Sequence, residues 1–413
     1  MNFESCLKNY ATLAVRTGVN LQPGQELLLM SPVDCAPFAR LIAEEAYRAG
    51  ARDVTIHYSD EKFQKIRFQH AALEVFETVP AWLADSRNSY AEQGAAVLQI
   101  AAGDPEIFSD VDSQKQAVNT RALFKAYKPF HNILDVNGVQ WSIISAPTKP
   151  WARKVFPDCE EQEAVRRLWE AIFRAVRADL PDPEEAWKEH GRQLKKRRDW
   201  LNMQQFDSLH FYNGSGTDIV LGLPRKHVWG GGSQTTRSGV GFFPNLPTEE
   251  VFCLPHRERV DGVVTGSLPL NYEGTLIEDF SLMFENGYVL DYTAKKGFEA
   301  LRRLIHVDDG SYRLGEVALV PSCSPISDMG TLFYNTLFDE NASCHLALGR
   351  AYASCLQGGT AMSKQQLVRA GANDSLVHVD FMIGTADMTV VGIDQLGNEI
   401  CVFENGNWAA QLR

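Results

Sequence analysis

In the run His378-Val379-Asp380 the histidine and the aspartate are two residues apart. On a β-strand such residues leave the same face, with their roots about 7 Å apart. An imidazole and a carboxylate so placed reach one metal ion jointly. The neighbours Leu376-Val377 and Phe381-Met382-Ile383 are apolar, so the strand is expected to be buried, where a charged pair needs a partner. A hydrogen-bonded His–Asp pair in a core satisfies the same pattern. Two further carboxylates stand in strand contexts. Glu250 leads into Val251-Phe252, and Glu316 lies within Leu314-Gly315-Glu316-Val317-Ala318-Leu319-Val320. An unpaired buried charge is costly, and a salt bridge to Arg or Lys is the plain alternative for each.

From about Asn341 the chain reads as a helix to about residue 355. His345 and Tyr352, seven residues apart, would then share a face, and Glu340 would sit at the helix start, where the dipole favours a carboxylate. A capped helix with a packed His and Tyr explains the same residues. Taken together, the candidates are Glu250, Glu316 and Asp380, with Glu340 as a further carboxylate, His345 and His378 as imidazoles, and Tyr352 as a phenol. Carboxylate-rich ligation with one His per ion suits two divalent cations that activate a water and polarise a carbonyl. Cysteine is absent from the set, which argues against a structural zinc site.

Other signals carry less. Gly230-Gly231-Gly232 is not a dinucleotide fingerprint and reads as a flexible loop. Cys344 beside His345 suggests a thiol nucleophile, but adjacent helical residues point about 100° apart, and a small buried Cys fits as well. Arg237, in a glycine-rich loop, suits an anion or solvent equally, and Lys195-Lys196-Arg197-Arg198 reads as a solvated helix face.

The elements that must position these residues fall into two parts. Up to about residue 182, short apolar runs alternate with amphipathic stretches. Strands are expected at 27–30, 54–58, 95–101 and 141–145, and helices at 36–49, 80–93 and 160–178. The last is marked by Val165, Leu168, Trp169, Ile172 and Val176 on one face. This order predicts an α/β domain with a mostly parallel sheet over 1–182. After Pro181–Pro183 and a helix at 184–203, short strands dominate: 210–212 with 219–221 as a hairpin, then 251–254, 262–265, 276–284, 288–292, 316–320, 377–383, 388–393 and 399–403. A helix at 294–305 interrupts them. Residues 183–413 are therefore expected to form an α+β domain rich in antiparallel strands, carrying the candidate metal site.

Composition limits the function. Lys and Arg number 40 against 52 Asp and Glu, a net charge of -12, which argues against a generic nucleic-acid binder. No apolar run approaches the length of a membrane span. The eight cysteines are scattered without a CxxC, and the first twenty residues lack a basic stretch followed by an apolar one, so a reduced, cytoplasmic protein is expected. A nucleotide-dependent oxidoreductase is a rival suggested by the α/β half. Ser31-Pro32-Val33-Asp34, after the first strand, lacks the glycines it needs. A thiol hydrolase using Cys344 and a catalytically retired metal-binding protein are the other rivals.

Longer runs carry a resemblance. Pro244-Asn245-Leu246-Pro247-Thr248-Glu249-Glu250-Val251-Phe252, Val260-Asp261-Gly262 and Leu314–Val320 resemble the aminopeptidase T and aminopeptidase S family of metallopeptidases. So do Phe333-Tyr334-Asn335-Thr336-Leu337-Phe338-Asp339-Glu340-Asn341-Ala342-Ser343-Cys344-His345 and His378-Val379-Asp380-Phe381-Met382-Ile383-Gly384. The match in order and spacing covers about 240–400. It implies a metal-dependent exopeptidase that removes N-terminal residues from peptides with a free amine, using two divalent ions (zinc, cobalt or manganese). It also implies a cytoplasmic homodimer whose N-terminal domain helps wall off the site. Carried over residue by residue, Glu250, Glu316, His345, His378 and Asp380 would be metal ligands, with Glu340 a sixth. Tyr352 would be the catalytic tyrosine, and Glu250 or Glu316 the general base. The segment Cys253–Arg259 departs from the family in being more charged, which bears on substrate preference.

Overall fold

Leu27, Leu28 and Leu29 are wholly buried in the computed structural model, which describes residues 2–272 and 275–412. They belong to the strand Glu26–Pro32, which is flanked on both sides and so carries a continuous apolar run. The sheet runs in the order Asp53–Ser59, Glu26–Pro32, Ala96–Ile100, Trp141–Ile144, and every pair in it is parallel. Such pairs need crossovers, supplied by helices including Ala36–Arg48 and Ala81–Glu92. The helix Glu161–Ala175 buries Leu168 and Ile172 of the predicted stripe together with Ala164 and Ala171, while Val165 and Trp169 are half-buried. This part is α/β with a parallel sheet, as its alternating pattern indicates.

The chain divides into two units, Met1–Glu189 with Ser233–Pro247, and His190–Gly232 with Thr248–Arg413. Ser233–Pro247 belongs to the first unit through backbone pairing: Ile143 N–H donates to Pro244 C=O (2.7 Å) and Leu246 N–H to Ile143 C=O (3.0 Å).

The second unit is antiparallel. A nine-stranded sheet includes the hairpin Ser208–Tyr212 with Asp218–Gly222, and the long pair Thr275–Glu285 with Tyr288–Lys296. The second strand of that pair takes residues 294–296 from the predicted helix, which begins only at Phe298. A four-stranded sheet then runs in the order His378–Met382, His345–Gly349, Leu314–Leu319, Val251–Cys253. Its faces follow the period of two. Val317, Leu346 and Phe381 align across three strands on the apolar face, and Phe381 meets Phe280 of the larger sheet at 5.8 Å. Each such side chain contributes about 1.5–3 kcal/mol on burial, a gain that offsets the cost of holding charges on the other face.

The predicted helix from 341 to 355 is absent. Thr336–Asp339 is one α-helical turn, Glu340–Ala342 a 3₁₀ turn, His345–Gly349 a strand, and Ala353–Cys355 another 3₁₀ turn. A five-residue apolar run has no period that separates a buried strand from a buried helix. Here the neighbours Leu314–Leu319 and His378–Met382 supply hydrogen bonds on both edges, and pairing decides. Glu340 therefore follows a helical turn rather than starting a helix, and His345 and Tyr352 share no helix face.

Candidate metal centre

The four strands converge their polar side chains by register. Asp380, Ala347 and Glu316 lie directly across from one another, as do Met382, His345, Ala318 and Phe252 one row away. His378 stands opposite Gly349, and Glu250 immediately precedes the strand Val251–Cys253. Small residues (Ala318, Ala347, Gly349) thus separate the charged ones and leave room above the sheet. A β-bulge between Leu314 and Glu316 re-aims the chain at the glutamate.

The result is two groups that share one carboxylate. Glu250, Glu316 and His345 offer ligand atoms within 4.8 Å of one another, and so do Glu316, His378 and Asp380. Glu316 Oε1 lies 3.6 Å from His345 Nε2, and its Oε2 lies 3.5 Å from His378 Nε2. Glu250 Oε2 is 3.4 Å from His345 Nε2, and Asp380 Oδ1 is 3.4 Å from His378 Nε2. Glu316 Oε2 and Asp380 Oδ1 are buried with no hydrogen-bond partner among the described residues. In each group the atoms lie close enough together to share an ion, so the donor set fits a divalent cation.

The imidazoles are oriented from behind. His378 Nδ1 bonds the Arg350 carbonyl at 2.6 Å, and His345 Nδ1 bonds the Ser343 carbonyl at 3.3 Å. Those bonds leave each Nε2 turned to the carboxylates, the arrangement that presents a lone pair to a metal. Charges in the cluster are tightly coupled. Burial alone would lower the His345 imidazole, but Glu250 and Glu316 outweigh it and hold it well above its usual value. His378, opposed by burial but held by Asp380 and Glu316, is pushed up to about 9. Burial pushes the Glu316 carboxyl up, and Asp380, though buried, is held low chiefly by His378. Cation binding needs neutral imidazoles and displaces protons held this way.

Glu340 stands at the margin. It is half-buried, burial and the nearby Glu250 and Asp380 raise its carboxyl well above the usual range, and it belongs to neither three-residue group. Tyr352 lies in the segment after the strand His345–Gly349. Its ring packs on His378 at 4.8 Å and near Phe252 at 6.1 Å, and it keeps 40% of its surface exposed. Partial burial and then the carboxylates Glu316 and Asp380 push its hydroxyl up, so it stays a donor.

Two features escaped the sequence reading. Asn341, completely buried, accepts the Glu249 N–H at 2.7 Å and donates to the Leu337 carbonyl at 3.0 Å, tying the Glu250 segment to the Glu340 segment. Two of its partners are backbone groups, which leave no letter in the sequence, and its Nδ2 also reaches Glu340 Oε1 at 3.5 Å. Gly230–Gly232 is not a free loop either. Gly230 exchanges backbone hydrogen bonds with Phe252, and Gly231 sits at φ +115 where a Cβ would lie 2.4 Å from the Glu250 carbonyl. Gly231→Ala is expected to cost at least about 2 kcal/mol. It should also weaken divalent-ion binding at the Glu250, Glu316 and His345 group, and denaturant unfolding and metal titration measure the two effects. Wild-type values in both would show that the Glu250 backbone yields freely.

Cys344 is a buried thiol that donates to the Val320 carbonyl at 3.4 Å, and burial pushes it up to about 11. It suits packing, not nucleophilic attack. Cys344→Ala is expected to keep kcat while losing about 1 kcal/mol of stability. A dead, folded, metal-loaded variant would restore the thiol reading. In the charged segment Cys253–Arg259, Arg259 pairs with Asp207, and the Arg257 carbonyl accepts from Arg313.

No helix among the described residues is long and apolar enough to cross a membrane. Comparison with known proteins bears on the same cluster. Aminopeptidase 2 of Geobacillus stearothermophilus is 46% identical over 410 residues, covering 99% of both chains. Aminopeptidase AmpS of Bacillus subtilis is 45% identical over 408 residues, again with 99% of each chain. The solved structure of wild-type AmpT from Thermus thermophilus superposes with a TM-score of 0.93 at 42% identity, covering 99% of this chain and 100% of that one. The family description "Thermophilic metalloprotease (M29)" matches residues 3–408. Nearly the whole chain is thus accounted for, and it belongs to the M29 thermophilic metalloproteases, hydrolases that act on peptide bonds.

Proposed function

We propose that this protein is a dinuclear metalloaminopeptidase that hydrolyses the first peptide bond of peptides with a free N-terminus. The observation that carries the reading is Glu316, whose two oxygens each serve a separate three-residue group. Glu250, Glu316 and His345 would hold one divalent ion, and Glu316, His378 and Asp380 the other, with Glu340 close enough to assist. Zinc, cobalt and manganese all suit this oxygen and nitrogen set. Such ions, when bound, would supply Lewis acidity and lower the pKa of water at the site toward neutrality.

The remaining work falls to the chain itself. Glu250 or Glu316 accepts the proton of the attacking water and passes it to the leaving amine, over hydrogen-bond distance. Tyr352 donates to the oxyanion that forms at the scissile carbonyl. The substrate's free amine would bind a metal or a carboxylate of this acidic site, which offers a reason for exopeptidase specificity. The Arg350 and Ser343 carbonyls keep the imidazoles in one tautomer throughout. We place the enzyme in the cytoplasm as a homodimer, a state that light scattering on the purified protein checks.

The test is hydrolysis of Leu- and Arg-p-nitroanilide by chelated protein, before and after adding Zn²⁺, Co²⁺ or Mn²⁺, beside an N-acetylated control. Cleavage restored by metal and abolished by acetylation is the expected result. Activity that survives chelation, or that tolerates the acetyl group, would overturn the proposal.

A further inference from the structure

Beside Asp380 lies an open cleft whose walls include the apolar Leu268, Leu270, Leu332 and Met382 on one hand, the polar Asn271, Tyr334, Asn335 and Thr336 on the other, and Asp339 as its other carboxylate. The strand His378–Met382 that forms one side is the edge of its sheet, and among the described residues no further strand pairs with it. The walls are braced before any ligand arrives. Ser267 N–H donates to the Met382 carbonyl at 2.8 Å, which fixes the Leu268 side against the strand. On the opposite side Asp339 accepts the amides of Phe333 at 2.7 Å and Asn335 at 3.0 Å, one with each oxygen. Phe333 is buried and stacks on Phe338 at 4.8 Å, so the segment carrying Leu332 is held at both levels. Asp339 is thus engaged in shaping the wall and does not stand free to receive a basic side chain.

We propose that this cleft receives the side chain of the substrate's first residue, giving a preference for bulky uncharged residues and rejecting acidic ones. The inference rests on the aminopeptidase reading above. In that reading the free ammonium lies among the carboxylates that include Asp380. The side chain branches from the carbon bearing that ammonium, so a cleft with Asp380 in its wall is the space it enters. Leucine, methionine or phenylalanine replaces water against Leu268, Leu270, Leu332 and Met382, a gain proportional to the apolar area covered. Alanine fills little of the space. An aspartate or glutamate side chain would give up its water and find no Lys, Arg or His among the residues lining the cleft.

The measurement is kcat/KM for Leu-, Phe-, Ala- and Asp-p-nitroanilide with metal-loaded wild type, Leu332→Trp and Leu332→Ala. Metal content and thermal unfolding are recorded for each protein. Wild type is expected to favour Leu and Phe over Ala by at least about tenfold, and to turn over Asp least. Leu332→Trp fills the cleft and should lower the Leu/Ala ratio at least about tenfold with metal content intact. Leu332→Ala removes one wall without overpacking and should lower the same ratio, chiefly through KM. A wild-type preference for Ala or Asp, or a Leu/Ala ratio unchanged in a folded, metal-loaded variant, overturns the cleft assignment alone. Failure of wild type on every anilide, with metal bound, overturns the aminopeptidase reading and this inference with it.

Discussion

Glu316→Gln is expected to empty both ion positions at once and to lower kcat/KM by more than about a thousandfold. Glu316 is the one residue common to both groups, with an oxygen 3.6 Å from His345 Nε2 and the other 3.5 Å from His378 Nε2. A carboxamide carries no charge and its single oxygen is a weak ligand, so neither group keeps an anionic ligand there. Glu250→Gln makes the contrast, because Glu250 belongs to a single group and its loss should release one ion per chain. Elemental analysis after dialysis separates the two cases. The chelated Glu316→Gln protein should unfold no earlier than chelated wild type. A neutral amide in a strand as buried as Leu314–Leu319 removes a desolvation cost rather than a packing contact. Two ions per chain retained in Glu316→Gln would refute the shared-carboxylate arrangement.

Tyr352→Phe carries the second large effect, of opposite character. Metal content should persist and KM should change little, while kcat falls by about a hundredfold or more. The segment that presents Tyr352 is anchored independently of its hydroxyl. Arg350 N–H donates to the Val377 carbonyl at 2.7 Å, Ala351 N–H donates to the Asn373 carbonyl at 2.9 Å, and the Arg350 carbonyl takes His378 Nδ1. Phenylalanine keeps the ring contact with His378 and removes only the donor. The loss corresponds to about 3–4 kcal/mol in the transition state, as for other oxyanion donors. An unchanged kcat would remove Tyr352 from the chemistry.

Much of this was legible from residue types. The HxD pair lies on a strand with both side chains on one face because alternation is a local property of an extended chain. Glu316, set in an apolar run, is the buried charge that run implied. The parallel sheet followed from strands alternating with helices, and the antiparallel half from closely spaced short strands. Residue types and spacing thus singled out the candidate residues, the class of each half and the expectation that carboxylates and imidazoles act together.

Only the tertiary structure decided how they meet. His345 is strand rather than helix because Leu314–Leu319 and His378–Met382 claim its backbone hydrogen bonds. The supposed loop at Gly231 is pressed against the Glu250 carbonyl, and Asn341 ties two backbone groups and the Glu340 carboxylate together. The sharing of Glu316 depends on register across four strands separated by long stretches of chain. Local periodicity reports the shape of a segment, whereas cross-strand register and backbone partners arise between segments and have no residue code of their own.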